Sequence, residues 1–419
     1  MLLIPSLKSK TKKSEVGQIA DPEDFYIPLD GYRNVMTPLV EIGNQVEKYQ
    51  LLAACDGLFA ASIHAPVSGI VKGTFNLNGK QFLHLQNDFR NRETLAAVIA
   101  MEEITQEQFA ERLFEYGIEG AGGSRFPTGL KFKKNETPIK TIIVNGAECE
   151  PYLSADYALM KHHTAELLRA AVLIKKVLGA EQIVFAIEKQ NKELEKLLLR
   201  SARENEVKIN VKILPDSYPQ GGELQVIKSV TGKELKKGSI PAQHGILVNN
   251  VGTLWSIYNA FFHSRPTIER IVTISGNRCA NTGNYKVKIG TPIAHLLRET
   301  GNEWNPDEQM IILGGAMMGK AVSSPLLPIH KGSGGLLVMQ KLRLESDNCI
   351  KCGACVDVCP QKLMPLEFVR FNQSGNTASL KDFNLLDCIE CGACAYVCPS
   401  DVPLMENIFR GKDKLLKNA

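Results

Sequence analysis

The chain has 419 residues, 44% of them hydrophobic, and a formal net charge of +4. This length calls for about three domains with ordinary packed cores, and so small a net charge argues against a nucleic-acid partner or strong attraction to a membrane surface. No run approaches ~18 consecutive apolar residues, so no membrane span is expected, and Met1 to Ile4 is too short for a secretion-signal core.

In chain order, the basic run Lys8, Lys10, Lys12 and Lys13 reads as a solvated, flexible tail over residues 1–24. Residues 25–92 are rich in β-branched residues, glycine and proline. The stretches VEIGNQVEKYQLLA and ASIHAPVSGIVKGTF read as short strands and tight turns of a small flattened barrel. From residue 93 to 266 strands alternate with helices. TIIVNGAE (141–148) reads as a buried strand, and QIVFAIE (182–188) and VKINVKIL (207–214) as a second and a third strand. Residues 155–178 carry a helical face built from Leu159, Leu167, Leu168, Ala171, Val172 and Val177, and NKELEKLLLRSARE (191–204) is an amphipathic helix. This order calls for a parallel sheet covered by helices. Further helices are expected over 222–232 and 251–263. Residues 267–335 give strands, a turn rich in Gly and Asn, a helix near Pro292 and a later strand EQMIIL, which together read as a β-grasp-like unit. Residues 336–419 form the last domain.

That last domain carries one cysteine spacing twice. Cys349-x₂-Cys352-x₂-Cys355-x₃-Cys359-Pro360 is followed by Cys388-x₂-Cys391-x₂-Cys394-x₃-Cys398-Pro399, which uses eight of the eleven cysteines. An iron–sulfur cubane needs four thiolates, three from one run and the fourth, before proline, from the other. Cluster one then takes Cys349, Cys352, Cys355 and Cys398, and cluster two takes Cys388, Cys391, Cys394 and Cys359. Structural zinc uses paired cysteines and leaves the third cysteine and the Cys-Pro step of each run unexplained. Cluster thiols must stay reduced until metallated, so a cytoplasmic setting is expected. Cys55, Cys149 and Cys279 read as buried or half-buried thiols. The Met317–Met318 pair reads as packing, and no histidine is assigned to a metal.

Four polar stretches lie upstream. Residues 120–132 (GAGGSRFPTGLKF) cluster glycines whose main chain can approach a phosphate or a flat ring, with Lys131 and Arg125 as cations. Asn145-Gly-Ala-Glu148-Cys-Glu150-Pro151 follows a strand, where ligands of α/β sheets sit. It reads equally as a ligand-binding acidic turn or as a cap for the next helix. Tyr218-Pro-Gln-Gly-Gly-Glu223 and Val248-Asn249-Asn250-Val251-Gly252-Thr253 are two more turns entering helices.

Taken in order, these motifs resemble the flavin- and NADH-binding subunit of respiratory complex I, and more closely the C subunit of the Rnf electron transport complex. NGAECEPY, YPQGGELQ, HAPVSGIV, LGGAMMG and the double cysteine run carry that resemblance over about residues 25–410. It implies a multidomain α/β protein with a barrel-sandwich hybrid domain, a Rossmann-like flavin-binding domain, a β-grasp domain of the soluble-ligand-binding type (SLBB) and a ferredoxin-like two-cluster domain. It also implies a peripheral subunit on the cytoplasmic face of the bacterial inner membrane. Such a subunit passes electrons between NADH and a chain of iron–sulfur and flavin centres, with membrane subunits and another iron–sulfur carrier as partners.

The resemblance implies FMN, two [4Fe–4S] clusters and NADH. It places Gly122, Gly123, Phe126 and Lys131 along the flavin phosphate and nicotinamide, and Asn145, Glu148 and Glu150 at the acidic turn. Glu223, Asn249, Asn250 and Thr253 complete the set, with Gly222 where complex I has a first glutamate. Hydride transfer needs no protein acid, so no catalytic residue is assigned. Arg125 stands where relatives have a small residue, which suggests a cation aimed at a phosphate or a weakened nucleotide site. Two other readings share these modules: a soluble cobalamin reductase of microcompartments, and an electron relay with a degenerate nucleotide site.

Overall fold

The computed structural model describes residues 2–57, 59, 61–95, 104–133, 136–342 and 346–417. The first β unit pairs a four-stranded antiparallel sheet, in the order Asp24–Pro28, Lys80–Asn87, Gly69–Leu77, Gln45–Val46, with a three-stranded one formed by Thr37–Pro38, Leu51–Ala54 and Ile63–His64. Its long hairpin turns at Asn78-Gly79, where both residues have positive φ (+53 and +75). That two-residue turn twists with its strands. Phe25, Ile27, Leu52, Val71, Leu83 and Leu85 form the core between the sheets.

The central unit holds an all-parallel four-stranded sheet in the order Asn210–Leu214, Gln182–Glu188, Thr141–Gly146, Ile246–Asn250. Ile142 and Val144 pack on one face against the helices Thr164–Leu178, Glu193–Glu204 and Val251–His263, while Ile143 packs on the other against Val226 and Ile227 of the helix Glu223–Thr231. Coverage of both faces explains why Gln182–Glu188 and Thr141–Gly146 read as largely apolar runs, while the edge strand Asn210–Leu214 alternates with exposed residues.

Residues 155–178 are two helices rather than one, Ala155–His162 and Thr164–Leu178. The Thr164 hydroxyl donates to the Met160 carbonyl at 2.5 Å. It occupies the acceptor that a continuous helix would offer to the Thr164 N–H. Val172 is 37% exposed, so it lies beside the apolar face and not within it.

The third unit is a six-stranded mixed sheet in the order Val16–Gln18, Gly283–Lys288, Glu269–Ser275, Gly335–Gln340, Gln309–Leu313, Lys320–Ala321. Ile293, Leu296 and Leu297 of the helix Ile293–Glu299 fill one side of it. The C-terminal unit consists of short helices around Phe368, Leu380, Leu385 and Ile408.

The N-terminal segment corrects the expectation of a flexible tail. Val16–Gln18 is an edge strand of the mixed sheet. Leu2 and Tyr218 exchange main-chain hydrogen bonds of 3.0 and 2.7 Å, and the Tyr152 N–H donates to Ser6 at 2.9 Å. Lys8, 2% exposed, donates its ammonium to the Glu148 carbonyl and sits 4.0 Å from the equally buried Glu188 carboxylate. Counting charges overlooks that a lysine stem packs well against apolar surface once its head finds partners. Lys8→Met leaves Glu188 as a buried carboxylate without its cation, and a loss of about 3 kcal/mol is expected. Thermal melts should show a lowered midpoint in this variant and partial recovery in the Lys8→Met, Glu188→Gln double variant.

Candidate functional site

The four upstream motifs meet at the carboxyl ends of the parallel strands. Lys131 donates to Glu223 Oε1 at 2.7 Å and to the Val248 carbonyl at 2.9 Å. Asn145 donates from Nδ2 to the Gly221 carbonyl at 2.9 Å. The Ala121 N–H reaches Thr253 Oγ1 at 3.0 Å. Asn250 caps the helix Val251–His263 through the Gly252 N–H at 2.8 Å and donates from Nδ2 to Asp156 at 2.6 Å. One contiguous loop cluster therefore contains Gly122, Lys131, Asn145, Glu223, Asn250 and Thr253.

Gly122 and Gly123 are exposed, and the space beside Gly123 is open. Asn249 is 3% exposed with no partner for Nδ2, and the fully buried Gln220 has none for Oε1. Orphaned buried polar atoms are rare in native proteins and point to a missing partner. Open main chain, a lysine and an unpaired amide donor suit the phosphate and polar edge of a flavin mononucleotide.

The acidic turn is committed to the protein itself. Glu148 accepts from the Asp156 and Tyr157 N–H groups at 3.2 and 3.4 Å, so it caps the helix Ala155–His162. Glu150 accepts from the Met317 and Met318 N–H groups at 2.8 and 2.9 Å. A Cβ on Gly315 would lie 2.3 Å from the Glu150 carboxyl carbon, so only glycine lets this turn of the third unit wrap the carboxylate. Met318 itself is 51% exposed, while Met317 packs inward. Of the two readings of this turn, the cap is realised at Glu148.

Two other residues face elsewhere. The Phe126 ring lies edge-on to Tyr32 at 5.3 Å and near Phe59 at 6.4 Å, both from the first β unit. Arg125, with φ +55, pairs with Glu119 at 2.8 Å and Asp30 at 2.9 Å. Its guanidinium is not free to reach a phosphate; it ties the first unit to the second, and its two carboxylates hold it firmly charged. The motive for reading the nucleotide site as degenerate goes with it.

Sequence reasoning missed Lys8, Asp156 and Arg270. Arg270 is pushed down to about 10 by burial, with Asp156 and Glu148 acting against the shift, and donates to the carbonyls of Lys331 and Ala121. No periodicity or motif marks these positions. Their signal is only a charge inside an apolar stretch, as in RIVTIS.

In the C-terminal unit the two cysteine runs share one backbone. Lys351 and Glu390 both have φ +58, Gly353 and Gly392 have +80 and +72, and Lys362 and Asp401 have +56 and +44, at matching offsets. Equivalent short helices follow, Ala354–Asp357 and Ala393–Tyr396. The N–H groups of Lys351 and Glu390 each reach the first sulfur of their run at 3.4 Å.

A small pocket is lined by Cys359, Cys388, Cys391 and Cys394 among apolar residues including Leu363, Phe368 and Met405. Burial and the other three cysteines push the Cys394 thiol up to about 12. Cys355 lies within electrostatic reach of Cys349 and Cys352, both of which are exposed. Among the described residues no three His, Cys, Asp or Glu side chains close around a single ion. A cubane asks for a wider arrangement, with one thiolate per corner.

The two sites adjoin. Tyr218, from the turn beside Gly221, donates to the Cys391 carbonyl at 2.7 Å. Cys149, between the two glutamates, accepts from the Gly221 N–H at 3.2 Å and packs with Tyr218, Met317 and Cys391.

Three families match along the chain: the RnfC barrel sandwich hybrid domain over residues 2–82, the Nuo51 FMN-binding domain over 113–259, and the 4Fe–4S dicluster domain over 348–402. Over 424 residues the chain is 35% identical to the RnfC protein of the ion-translocating oxidoreductase complex of Haemophilus influenzae (strain PittEE), covering 98% of this chain and 65% of that protein. The likeness runs along nearly the whole of this chain. The RnfC protein of Pasteurella multocida (strain Pm70) is 33% identical, with 98% of this chain and 50% of that protein covered. The chain thus spans between half and two thirds of the length of these relatives. A solved NAD⁺-reducing [NiFe]-hydrogenase in its air-oxidised state shares the fold, with a TM-score of 0.50, 17% identity, and 74% of this chain and 61% of that chain covered. The central unit is accordingly an FMN-binding domain, and the C-terminal unit a 4Fe–4S dicluster domain.

Glu148 generates a pH prediction. Burial, reinforced by Asp156, pushes its carboxyl from the ordinary 4.5 up to about 8. The folded protein therefore holds this proton more tightly than the unfolded chain. That stability is present below pH 4.5 and is lost as pH rises to about 8. Glu150, Asp156 and Glu188 are shifted the same way by burial. Melting temperature should fall across this window, and Glu148→Gln should make the fall shallower; an unchanged slope would contradict the assignment.

Proposed function

We propose that this chain is the peripheral electron-transfer subunit of a membrane-bound ion-translocating oxidoreductase complex, working between NADH and a further iron–sulfur carrier. Its partners are the other subunits of that complex, and its place is the cytoplasmic face of the membrane. No described helix is long and apolar enough to cross a membrane, so attachment rests on those partners. The parallel sheet of the central unit is read as Rossmann-like, and the mixed sheet, whose strands include Val16–Gln18 and extend to Gln340 beyond the expected 267–335, as a β-grasp unit of the soluble-ligand-binding type.

Bound in this site, FMN would supply hydride chemistry and the clusters single-electron transfer. The protein's own residues bind, orient and insulate. Lys131 is read as the cation for the flavin phosphate, its ammonium bonded to Glu223. Asn249 supplies a free amide donor, and Gly122 and Gly123 leave room for close approach. Thr253 and Asn250 fix the glycine loop and the helix start beside it. Glu148 and Glu150 act as struts that set the acidic turn, rather than as acids or bases.

One observation carries this reading: the turn beside the flavin loops and the wall of the Cys359, Cys388, Cys391 and Cys394 cavity touch through Tyr218 and Cys391. That cavity is read as cluster two, on the flavin side. Cys349, Cys352, Cys355 and Cys398 are read as cluster one, whose exposed sulfurs suit a docking partner.

Anaerobically purified protein should bind one FMN and show bleaching of both flavin and cluster absorbance on addition of NADH. Lys131→Met should weaken FMN binding by roughly tenfold or more, the worth of a charge-assisted hydrogen bond. Retention of FMN at unchanged affinity would remove Lys131 from the phosphate site, and absence of any NADH-driven bleaching would overturn the function.

A further inference from the structure

We infer that Lys237, a residue of the flavin-binding unit, sets the reduction potential of the neighbouring cluster across the domain seam. The inference rests on the reading that Cys359, Cys388, Cys391 and Cys394 hold a cubane. Lys237 lies in the connection after the helix Glu223–Thr231. Its ammonium donates to the Leu386 carbonyl at 2.9 Å and to the carbonyl of Cys388, a ligand of that site, at 3.2 Å.

A second lysine, Lys412, reaches the same Cys388 carbonyl at 2.6 Å, but it also donates to the Glu390 carboxylate at 2.5 Å. Its charge is therefore matched locally. Among the described residues Lys237 forms no ion pair. Asp387 and Glu390 lie within its electrostatic reach without closing an ion pair, so its ammonium is bonded only to main-chain carbonyls.

A cubane with four thiolates is an anion, and each added electron makes it more negative. A nearby cation therefore favours the reduced form. The effect is strong only where water is excluded. Cys391 and Cys394 are buried, each 7% exposed, in an apolar wall. Cys349 and Cys352 of the other run are exposed, where solvent and salt screen fixed charge. Burial alone disfavours reduction of the inner cluster, and Lys237 opposes that penalty.

Because the charge comes from the flavin-binding unit, the potential depends on that unit being seated against the cluster unit. Lys237 is thus a positioning and tuning residue: it contacts the main chain of a ligand and bears on the metal through space.

The test is an anaerobic redox titration of the full-length holoprotein, followed by electron paramagnetic resonance, on wild type, Lys237→Met and Lys237→Arg. In Lys237→Met the ratio of reduced to oxidised inner cluster at a fixed potential should fall roughly tenfold, which corresponds to ~59 mV for one electron. The wave of the other cluster should stay in place, and Lys237→Arg should restore the wild-type position. Unmoved waves, equal movement of both waves, or an arginine variant displaced as far as the methionine one would each overturn the inference. Wild-type protein with a single cluster wave or none would instead sink the parent reading.

Discussion

Buried carboxylates held by main-chain N–H groups organise this molecule. Glu148 caps the first helix of the flavin-binding unit, and two residues on Glu150 takes two N–H groups from the third unit. The main chain between them receives Lys8 from the N-terminus. The adjacent helix and two segments distant in sequence are thereby fixed around one turn of seven residues, 145–151. A carboxylate satisfied by fixed N–H dipoles tolerates burial, whereas an unsatisfied one would unfold its surroundings. The turn at the mouth of the sheet is rigid because its acids serve the scaffold.

That rigidity places the redox sites. The elements that carry Lys131, Asn249 and Thr253 meet on the same rim as Tyr218, and Tyr218 is bonded to the main chain of Cys391. The cluster unit is small, and its apolar core is completed by the cysteines themselves. Burial raises the thiols of Cys391 and Cys394 well above their ordinary value, so iron must displace tightly held protons.

Much of this is legible in the sequence. The doubled cysteine spacing is a covalent pattern that needs no tertiary knowledge, and its two halves share their left-handed residues position by position. Alternating apolar strands and amphipathic helices announce the parallel sheet. What escapes are contacts between residues far apart. Glu150 lies 167 positions from Met317, and nothing in NGAECEP says that a glycine turn of another unit will wrap it. Arg125 reads as a free cation because its partners, Asp30 and Glu119, lie on other strands and loops. Lys8 is hidden by its neighbours: three more lysines within five residues suggest a solvated tail, and only one of the four is buried. The break at His163 turns on one threonine hydroxyl, a detail finer than helical periodicity can register.

The central claim is that two runs of thiolates, exchanging their last cysteine, hold two cubanes beside a flavin. Mössbauer spectroscopy of protein prepared without oxygen and enriched in ⁵⁷Fe tests it most directly. About eight iron atoms per chain should be found, all with the isomer shift of [4Fe–4S] centres. Iron in mononuclear or [2Fe–2S] form, or sites filled by zinc without inorganic sulfide, would contradict the account.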